Sequence, residues 1–221
     1  MSLITCETAE NANSAPASRA PAPRHFHKIT GGLNVAPILA QLDAAPDLWG
    51  AHRARLDAPD SPHATSADIW VRYNDIRPFQ AGARPWSEIN NPHIPIWYPA
   101  WYRVPALRAP VMSIMALSQA EMLGGVLITR VPAGGRIAPH IDTGWHVETY
   151  SKFYVCLKGA PGAEMLCEVD GEVEAMCPKP GDLHLFDNRK MHWVENRSDH
   201  ERMTLIVCVK TDLDPDRGAT A

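Results

Sequence analysis

The last part of the sequence, residues 126–210, is a succession of short apolar segments at the spacing of β-hairpins. Asp170-Gly171 between two of these segments is a strong two-residue hairpin signal. The predicted strands are Val126–Val131, Arg136–Ile141, Ser151–Leu157, Met165–Val169, Glu172–Ala175, Leu183–Phe186, His192–Glu195 and Arg202–Lys210. So many short strands predict a sandwich or a small barrel closed on itself, whose strand order does not follow from the sequence.

The first half of the chain predicts helices that support this sheet. A short helix is expected from Asn34 to Leu42, and apolar residues from Leu107 to Met122 recur at helical spacing until Gly124-Gly125. Only Ile69–Tyr73 reads as a strand here. We therefore expect a mainly β fold with N-terminal helices. Residues 1–23 predict a disordered tail, and residues 24–221 a single domain with helical support over 24–123 and a β core over 124–212.

Composition excludes several classes of function. The net charge of −4 argues against nucleic acid, which needs a concentrated basic face. No apolar stretch approaches the ~20 residues of a membrane span. The five cysteines are scattered without a C-x-x-C pair, so we expect reduced thiols and a cytoplasmic location instead of a thiolate zinc site. The sequence does not indicate the oligomeric state.

Three residues could bind one metal ion. His140 and Asp142 lie two apart, so at a strand end their side chains leave the same face. A lone His-x-Asp is weak evidence for a metal site, because a hydrogen-bonded His-Asp pair at a strand end is the commoner structure. His192 opens a later apolar strand and supplies a third ligand. Two imidazoles and one carboxylate form the facial triad that leaves open positions on non-haem Fe(II).

Arg202, ten residues after His192, points to a co-substrate. A planar guanidinium binds a carboxylate through two hydrogen bonds, which suits the distal carboxylate of a dicarboxylate such as 2-oxoglutarate. Fe(II), the Asp142 carboxylate and Arg202 together would neutralise that dianion. A zinc hydrolase with similar ligands would not need this arginine. The alternative for Arg202 is a surface ion pair with Glu201 or Asp199.

Residues 127–212 resemble the aspartyl/asparaginyl β-hydroxylase family of 2-oxoglutarate/Fe(II) oxygenases, which includes bacterial free-proline cis-4-hydroxylases. The resemblance rests on the segments RVPAGGRIAPHID, FYVCLKG and GDLHLFDNRKMHWVENRSDHERMTLIVCV. Upstream, LWGAHRARL and ADIWVRYND are similar to the proline-hydroxylase branch.

The resemblance implies a double-stranded β-helix (jelly-roll, cupin-like) core. It implies Fe(II) at His140, Asp142 and His192, with 2-oxoglutarate at Arg202 and O₂ as the third reactant. Lys152 and Tyr154 match family positions that also contact the co-substrate. Peptidyl-aspartate hydroxylases lack an acidic ligand at the position of Asp142. Its presence here places the chain nearer the small-molecule branch, with a free amino acid or derivative as the expected substrate.

Four further residues are candidates for substrate binding. Arg72 could hold a substrate carboxylate, and His146 could reach the substrate from the loop after Asp142. Trp97 and Trp101, in the aromatic segment WYPAWY, could roof the pocket. The alternative for Arg72 is a plain ion pair, and for His146 it is a solvated position in the loop. Trp97 and Trp101 could instead pack against an edge of the core.

Two other functions stay open at this point. One is a peptidyl Asp/Asn-type hydroxylase, in which the aromatic loop forms a groove. The other is a non-oxygenase metal-binding cupin. Cupins tend to use more histidines, and they would not require Arg202.

Overall fold

Within residues 24–89 and 93–212, which are those that this computed structural model describes, the chain forms two antiparallel sheets flanked by short helices. The predicted tail, residues 1–23, lies outside the described residues. The strands are β1 Phe26–Thr30, β2 Ala67–Asn74, β3 Pro95–Trp97, β4 Met122–Val131, β5 Arg136–His140, β6 Ser151–Lys158, β7 Ala163–Val169, β8 Glu172–Met176, β9 Leu183–Phe186, β10 Met191–Asn196 and β11 Arg202–Lys210. The helices are α1 Ala36–Asp43, α2 Arg77–Gln80, α3 Pro99–Arg103, α4 Arg108–Leu117 and α5 Trp145–Thr149.

The larger sheet has the order β1-β9-β6-β11-β4-β2-β3, and the smaller has the order β5-β10-β7-β8. Neighbouring strands are antiparallel throughout, and consecutive strands often belong to different sheets, as the jelly-roll prediction requires. The mainly β fold class is confirmed. No helix in the described ranges is long and apolar enough to cross a membrane.

The seven-stranded sheet is covered on both faces. On one face, α1 and α4 pack through residues such as Ile38 and Ile114 against a large apolar cluster. On the other face, side chains from both sheets meet in a second cluster that includes Tyr154, Phe186 and Val194. Burial on both faces explains why the central strands are almost continuously apolar.

The two-residue period of the strands decides which side chains reach the space between the sheets. On β6, Phe153 and Val155 belong to the helix-side cluster, whereas Tyr154 belongs to the cluster between the sheets. On β11, Met203 and Leu205 also face the helices. Arg202 and Lys152 therefore lie on the inner face of the larger sheet, towards the smaller one.

The prediction that Gly124-Gly125 ends a helix is wrong, because both glycines lie inside β4. A Cβ atom at Gly124 would lie 2.9 Å from the ring of Tyr150, which is buried. Glycine in a strand often marks such a close approach. Gly124 therefore makes room for an aromatic ring, while the predicted helix ends earlier, at Leu117.

Gly124→Ala should destabilise the fold by about 1–3 kcal/mol, because the buried Tyr150 ring cannot move away from the new methyl group without disturbing its neighbours. Gly125→Ala is the matched control, since its Cβ would meet nothing closer than 3.6 Å. Urea unfolding measures both variants. Equal stability of the two would show that the Tyr150 contact does not constrain β4.

Candidate metal and co-substrate site

The structure brings the three predicted metal ligands together at one end of the smaller sheet. His140 ends β5, Asp142 follows two residues later, and His192 lies in β10 directly opposite His140. One ligand atom from each of the three lies within 4.8 Å of the other two. Two imidazoles and a carboxylate at this separation could hold one ion and leave neighbouring positions open.

Backbone hydrogen bonds orient both imidazole rings. His140 Nδ1 lies 2.8 Å from the carbonyl oxygen of Ala138, and His192 Nδ1 lies 2.8 Å from that of Lys190. Since a carbonyl oxygen only accepts, each Nδ1 carries a proton, which leaves Nε2 as the lone-pair nitrogen of the neutral ring. Burial lowers the pKa of His192 to about 4, which keeps its ring neutral at physiological pH. Such bonds to the second ring nitrogen are typical of metal-binding histidines.

Asp142 is held by two polar side chains. Lys152 forms a short ion pair with it, and Asn188 Nδ2 donates to Oδ2 over 2.7 Å. Its backbone N–H also donates to the Asn188 carbonyl oxygen at 3.1 Å. Burial opposes ionisation, but the charge of Lys152 and the hydrogen bonds lower the pKa of Asp142 below its usual range. Asp142 is therefore a carboxylate, which is the form that binds a metal.

Asn188 was not predicted from sequence, and its contact gives a testable result. Asn188→Ala removes one donor to Asp142 and should weaken metal binding about 10- to 100-fold, because groups that orient a ligand have effects of that size. Iron or manganese titration of the purified protein measures the change. Arg189→Ala is the control, since that neighbouring side chain is half-exposed and pairs with Asp187. Equal affinities of the two variants would show that Asn188 does not orient Asp142.

Arg202 begins β11 and is almost completely buried, at 3% exposure. No carboxylate in the described part of the chain lies within ion-pair distance of it, and its Nε has no hydrogen-bond partner there. Burial lowers the pKa of the guanidinium from its usual value. A buried cation without a counter-charge is costly, so this position favours an anionic ligand.

The surface ion pairs considered for Arg202 are not seen in the described residues. Glu201 pairs with Lys158 at 2.6 Å, and Asp199 lies 3.2 Å from His200. Tyr154, on the inner face of β6, is close enough to both Arg202 and Asp142 for their charges to act on its pKa, which burial raises well above the usual value. Arg202, Tyr154 and Lys152 all lie on the inner face of the larger sheet, and Lys152 contacts Asp142.

An open cavity of about 750 Å³ lies in front of the metal ligands. His140, Asp142 and Lys152 face it from the two sheets, and His146 faces it from α5. A loop within residues 54–63 forms another wall beside His140, and it hydrogen-bonds to β5 through Pro62 O and Ala138 N at 2.9 Å. The cavity gives a substrate direct access to His140 and Asp142.

The loop wall contains polar residues that were not predicted as site residues. Arg55 binds Asp68 through two hydrogen bonds of 2.8 Å, and its Nη1 lies 3.1 Å from His63 Nε2. The His63 ring packs edge-on against that of His140 at 4.9 Å. The resembling segment LWGAHRARL contains Arg55 and was the only sequence signal for this contact.

The four predicted substrate residues do not come together. His146 lines the cavity, and burial lowers its pKa to about 4. Arg72, Trp97 and Trp101 are not among the described residues that line it. Trp97 stacks on Trp101 at 3.9 Å, and the Arg72 guanidinium lies over Trp97 while Nη1 donates to the Gly124 carbonyl oxygen. This arrangement packs Trp97 and Trp101 against the main apolar cluster.

Comparison with known proteins agrees with this geometry. The family model of the aspartyl/asparaginyl β-hydroxylases matches residues 99–211, which include every ligand and co-substrate residue discussed above. The chain belongs to this family. It is accordingly a 2-oxoglutarate-dependent non-haem iron oxygenase, with Fe(II), 2-oxoglutarate and O₂ as its cofactor and co-substrates. No curated protein matches the chain.

Two solved structures share the fold. A 2OG-Fe(II) oxygenase family oxidoreductase from Burkholderia pseudomallei is 16% identical, with a TM-score of 0.52 over 86% of this chain and 95% of that one. A prolyl hydroxylase from Trichoplax adhaerens, in complex with a peptide fragment of the hypoxia inducible factor oxygen degradation domain, is 13% identical. Its TM-score is 0.58 over 90% of this chain and 88% of that one. At these identities the likeness concerns the fold alone.

Proposed function

We propose that this oxygenase hydroxylates an unactivated C–H bond of a small molecule, a free amino acid or a derivative of one. The observation that carries the proposal is the meeting of His140, Asp142 and His192 beside an open cavity, which His140 and Asp142 line. The unpaired, buried Arg202 beyond them supports a dicarboxylate co-substrate. The acidic ligand Asp142 supports a small-molecule substrate over a peptidyl aspartate.

In this proposal, each side chain has a definite task. His140, Asp142 and His192 hold Fe(II), and Arg202 binds the distal carboxylate of 2-oxoglutarate through its planar fork. When bound, the iron, 2-oxoglutarate and O₂ supply the oxidising chemistry that places a hydroxyl group on carbon. Lys152 and Tyr154 position the co-substrate between Arg202 and the ligands. Residues 54–63 and His146 close the cavity around the substrate and limit the access of water.

A visible absorption experiment tests the cofactor part of the proposal. Anaerobic addition of Fe(II) and 2-oxoglutarate should give the weak charge-transfer absorption of chelated 2-oxoglutarate. Lack of this absorption at saturating iron would contradict the assignment of the three ligands and would favour the non-oxygenase cupin.

Turnover tests the substrate part. Succinate formation should rise with free amino acids or their N-substituted derivatives, and it should stay at the background rate with Asp-, Asn- or Pro-containing peptides, because residues 54–63 bound the cavity beside His140. Peptide-stimulated succinate without a response to small molecules would establish the peptidyl hydroxylase instead.

A further inference from the structure

The cavity in front of the metal ligands is larger than a free amino acid requires. A water molecule occupies about 30 Å³ in the liquid, so the roughly ten non-hydrogen atoms of 2-oxoglutarate take up at most about 300 Å³. Even if the whole co-substrate lay inside the cavity of about 750 Å³, on the order of 450 Å³ would remain. At the same volume of about 30 Å³ per atom, the remaining space holds about 15 further non-hydrogen atoms. A free aliphatic amino acid would leave much of that space filled with water.

Most of the remaining wall is apolar. Trp70, Tyr73, Leu127 and Ile206 line the cavity and belong to one apolar cluster or pack against it. At its edge, Trp86 is 45% exposed and Ile141 is 47% exposed. Large apolar side chains that stay exposed around a cavity are typical of ligand-binding grooves. The wall therefore favours a ligand with a large apolar body.

The Arg and Lys side chains of the cavity lining are already compensated by protein carboxylates. Arg55 is bound to Asp68, and Lys152 is bound to Asp142. A zwitterionic amino acid would have to give up the hydration of both its ammonium and its carboxylate groups. Because Arg55 and Lys152 are already paired, they would compensate the carboxylate of such a ligand only weakly.

Two buried N–H groups in the wall lack an acceptor among the described residues. Trp70 is 3% exposed, and its Nε1 has no hydrogen-bond partner there. His63 Nε2 faces Arg55, which can only donate, so the proton of the neutral ring sits on Nδ1, and Nδ1 is also unpartnered. Both groups require an acceptor. Oxygen atoms of a ligand, such as those of an amide, ester or carbamate group, would satisfy them.

We infer that the substrate is a largely apolar, oxygen-bearing molecule of about 15 or more non-hydrogen atoms, such as an N-acylated or esterified amino acid, and not a free amino acid. Its apolar body lies against Trp70, Leu127 and Trp86, and its acceptor oxygens bind the N–H groups of Trp70 and His63. This inference rests on the proposed function, because it concerns the substrate side of the same site.

Calorimetry tests the inference with matched pairs of probes. The probes are leucine, proline and phenylalanine, each free and as the N-benzyloxycarbonyl derivative. They are added to the full chain without metal and, under anaerobic conditions, with Fe(II) and 2-oxoglutarate. Burial of the added ring should make at least one derivative bind about tenfold or more tightly than its parent amino acid. If every free amino acid binds as tightly as its derivative, the inference is overturned.

Two substitutions locate the binding site. Trp70→Phe keeps an aromatic ring but removes the N–H, and it should weaken binding of the derivative about three- to tenfold. Trp193→Phe is the control, because its N–H already donates to Glu195 outside the cavity lining. Trp86→Ala, at a half-exposed position where the ring packs on Phe79, should reduce the preference for the derivative. Unchanged derivative binding in both Trp70→Phe and Trp86→Ala would overturn the inference.

The two proposals fail in different ways. Chelate absorption without tighter binding of any derivative would overturn the inferred substrate class and leave the oxygenase function standing. Tight binding of a derivative without chelate absorption would support the ligand class and contradict the metal and co-substrate assignment.

Discussion

His140→Ala should abolish iron binding and 2-oxoglutarate-dependent succinate formation together. His140 contributes one of three clustered ligand atoms, and its ring is fixed by the hydrogen bond to Ala138. With that ligand removed, only Asp142 and His192 remain to hold the ion. The loss should exceed the roughly 10- to 100-fold effect expected of a residue that only orients a ligand, such as Asn188.

Iron content after anaerobic reconstitution, together with succinate release, measures this result. His200→Ala is the control, because its side chain is exposed and pairs only with Asp199 among the described residues. It should bind iron and turn over 2-oxoglutarate as the unmodified chain does. Near-normal iron content in His140→Ala would mean that the three residues are not the metal site.

The β core could be predicted from the sequence because its strands combine apolar periodicity with clear turns. β9 and β11 have the predicted bounds, and β10 extends the prediction by one residue at each end. The Asp170-Gly171 turn has the positive φ angles, 54° and 78°, that its hairpin type needs. Local sequence is sufficient for such elements.

Other strands could not be predicted because their contacts are formed at a distance along the chain. β1 has the sequence FHKIT, in which only Phe26 is buried, and it forms at the sheet edge by pairing with β9. The two glycines of β4 have the pattern of a helix end, yet Gly124 is required by Tyr150, far along the chain. The sequence contains no local sign of either contact.

The residues of the candidate site also differ in whether the sequence alone predicts them. Arg202 is a charged residue at the start of an apolar strand, which is rare enough to be noticed, and it draws attention to His140, Asp142 and His192 as a set. Asn188 and His63 lie in turn-rich segments where polar residues are ordinary, so only the folded chain shows what they contact. Trp97 and Trp101 illustrate the opposite case, because an aromatic loop can cover either a pocket or a core. Here the two rings stack and pack against the core.

Arg202→Met should weaken the binding of 2-oxoglutarate strongly without destabilising the fold. Truncating one partner of a buried charge pair costs about 2–5 kcal/mol, so the affinity for 2-oxoglutarate should fall at least about 30-fold. Without co-substrate, the same substitution should not lower the free energy of unfolding. An apolar residue of similar volume in place of a buried charge without a counter-ion should leave the free energy of unfolding unchanged or raise it by about 1–4 kcal/mol.

Thermal unfolding with and without 2-oxoglutarate, in the presence of a divalent metal, measures both effects. The unmodified chain should gain stability on adding 2-oxoglutarate, and Arg202→Met should lose that gain while its unliganded melting temperature does not fall. Arg202→Lys keeps the charge without the planar fork and should bind with intermediate affinity. Lys158→Met is the control, because Lys158 is partly exposed and pairs with Glu201. If Arg202→Met bound 2-oxoglutarate as tightly as Lys158→Met, the buried guanidinium would have another role, and the co-substrate would have to be bound elsewhere.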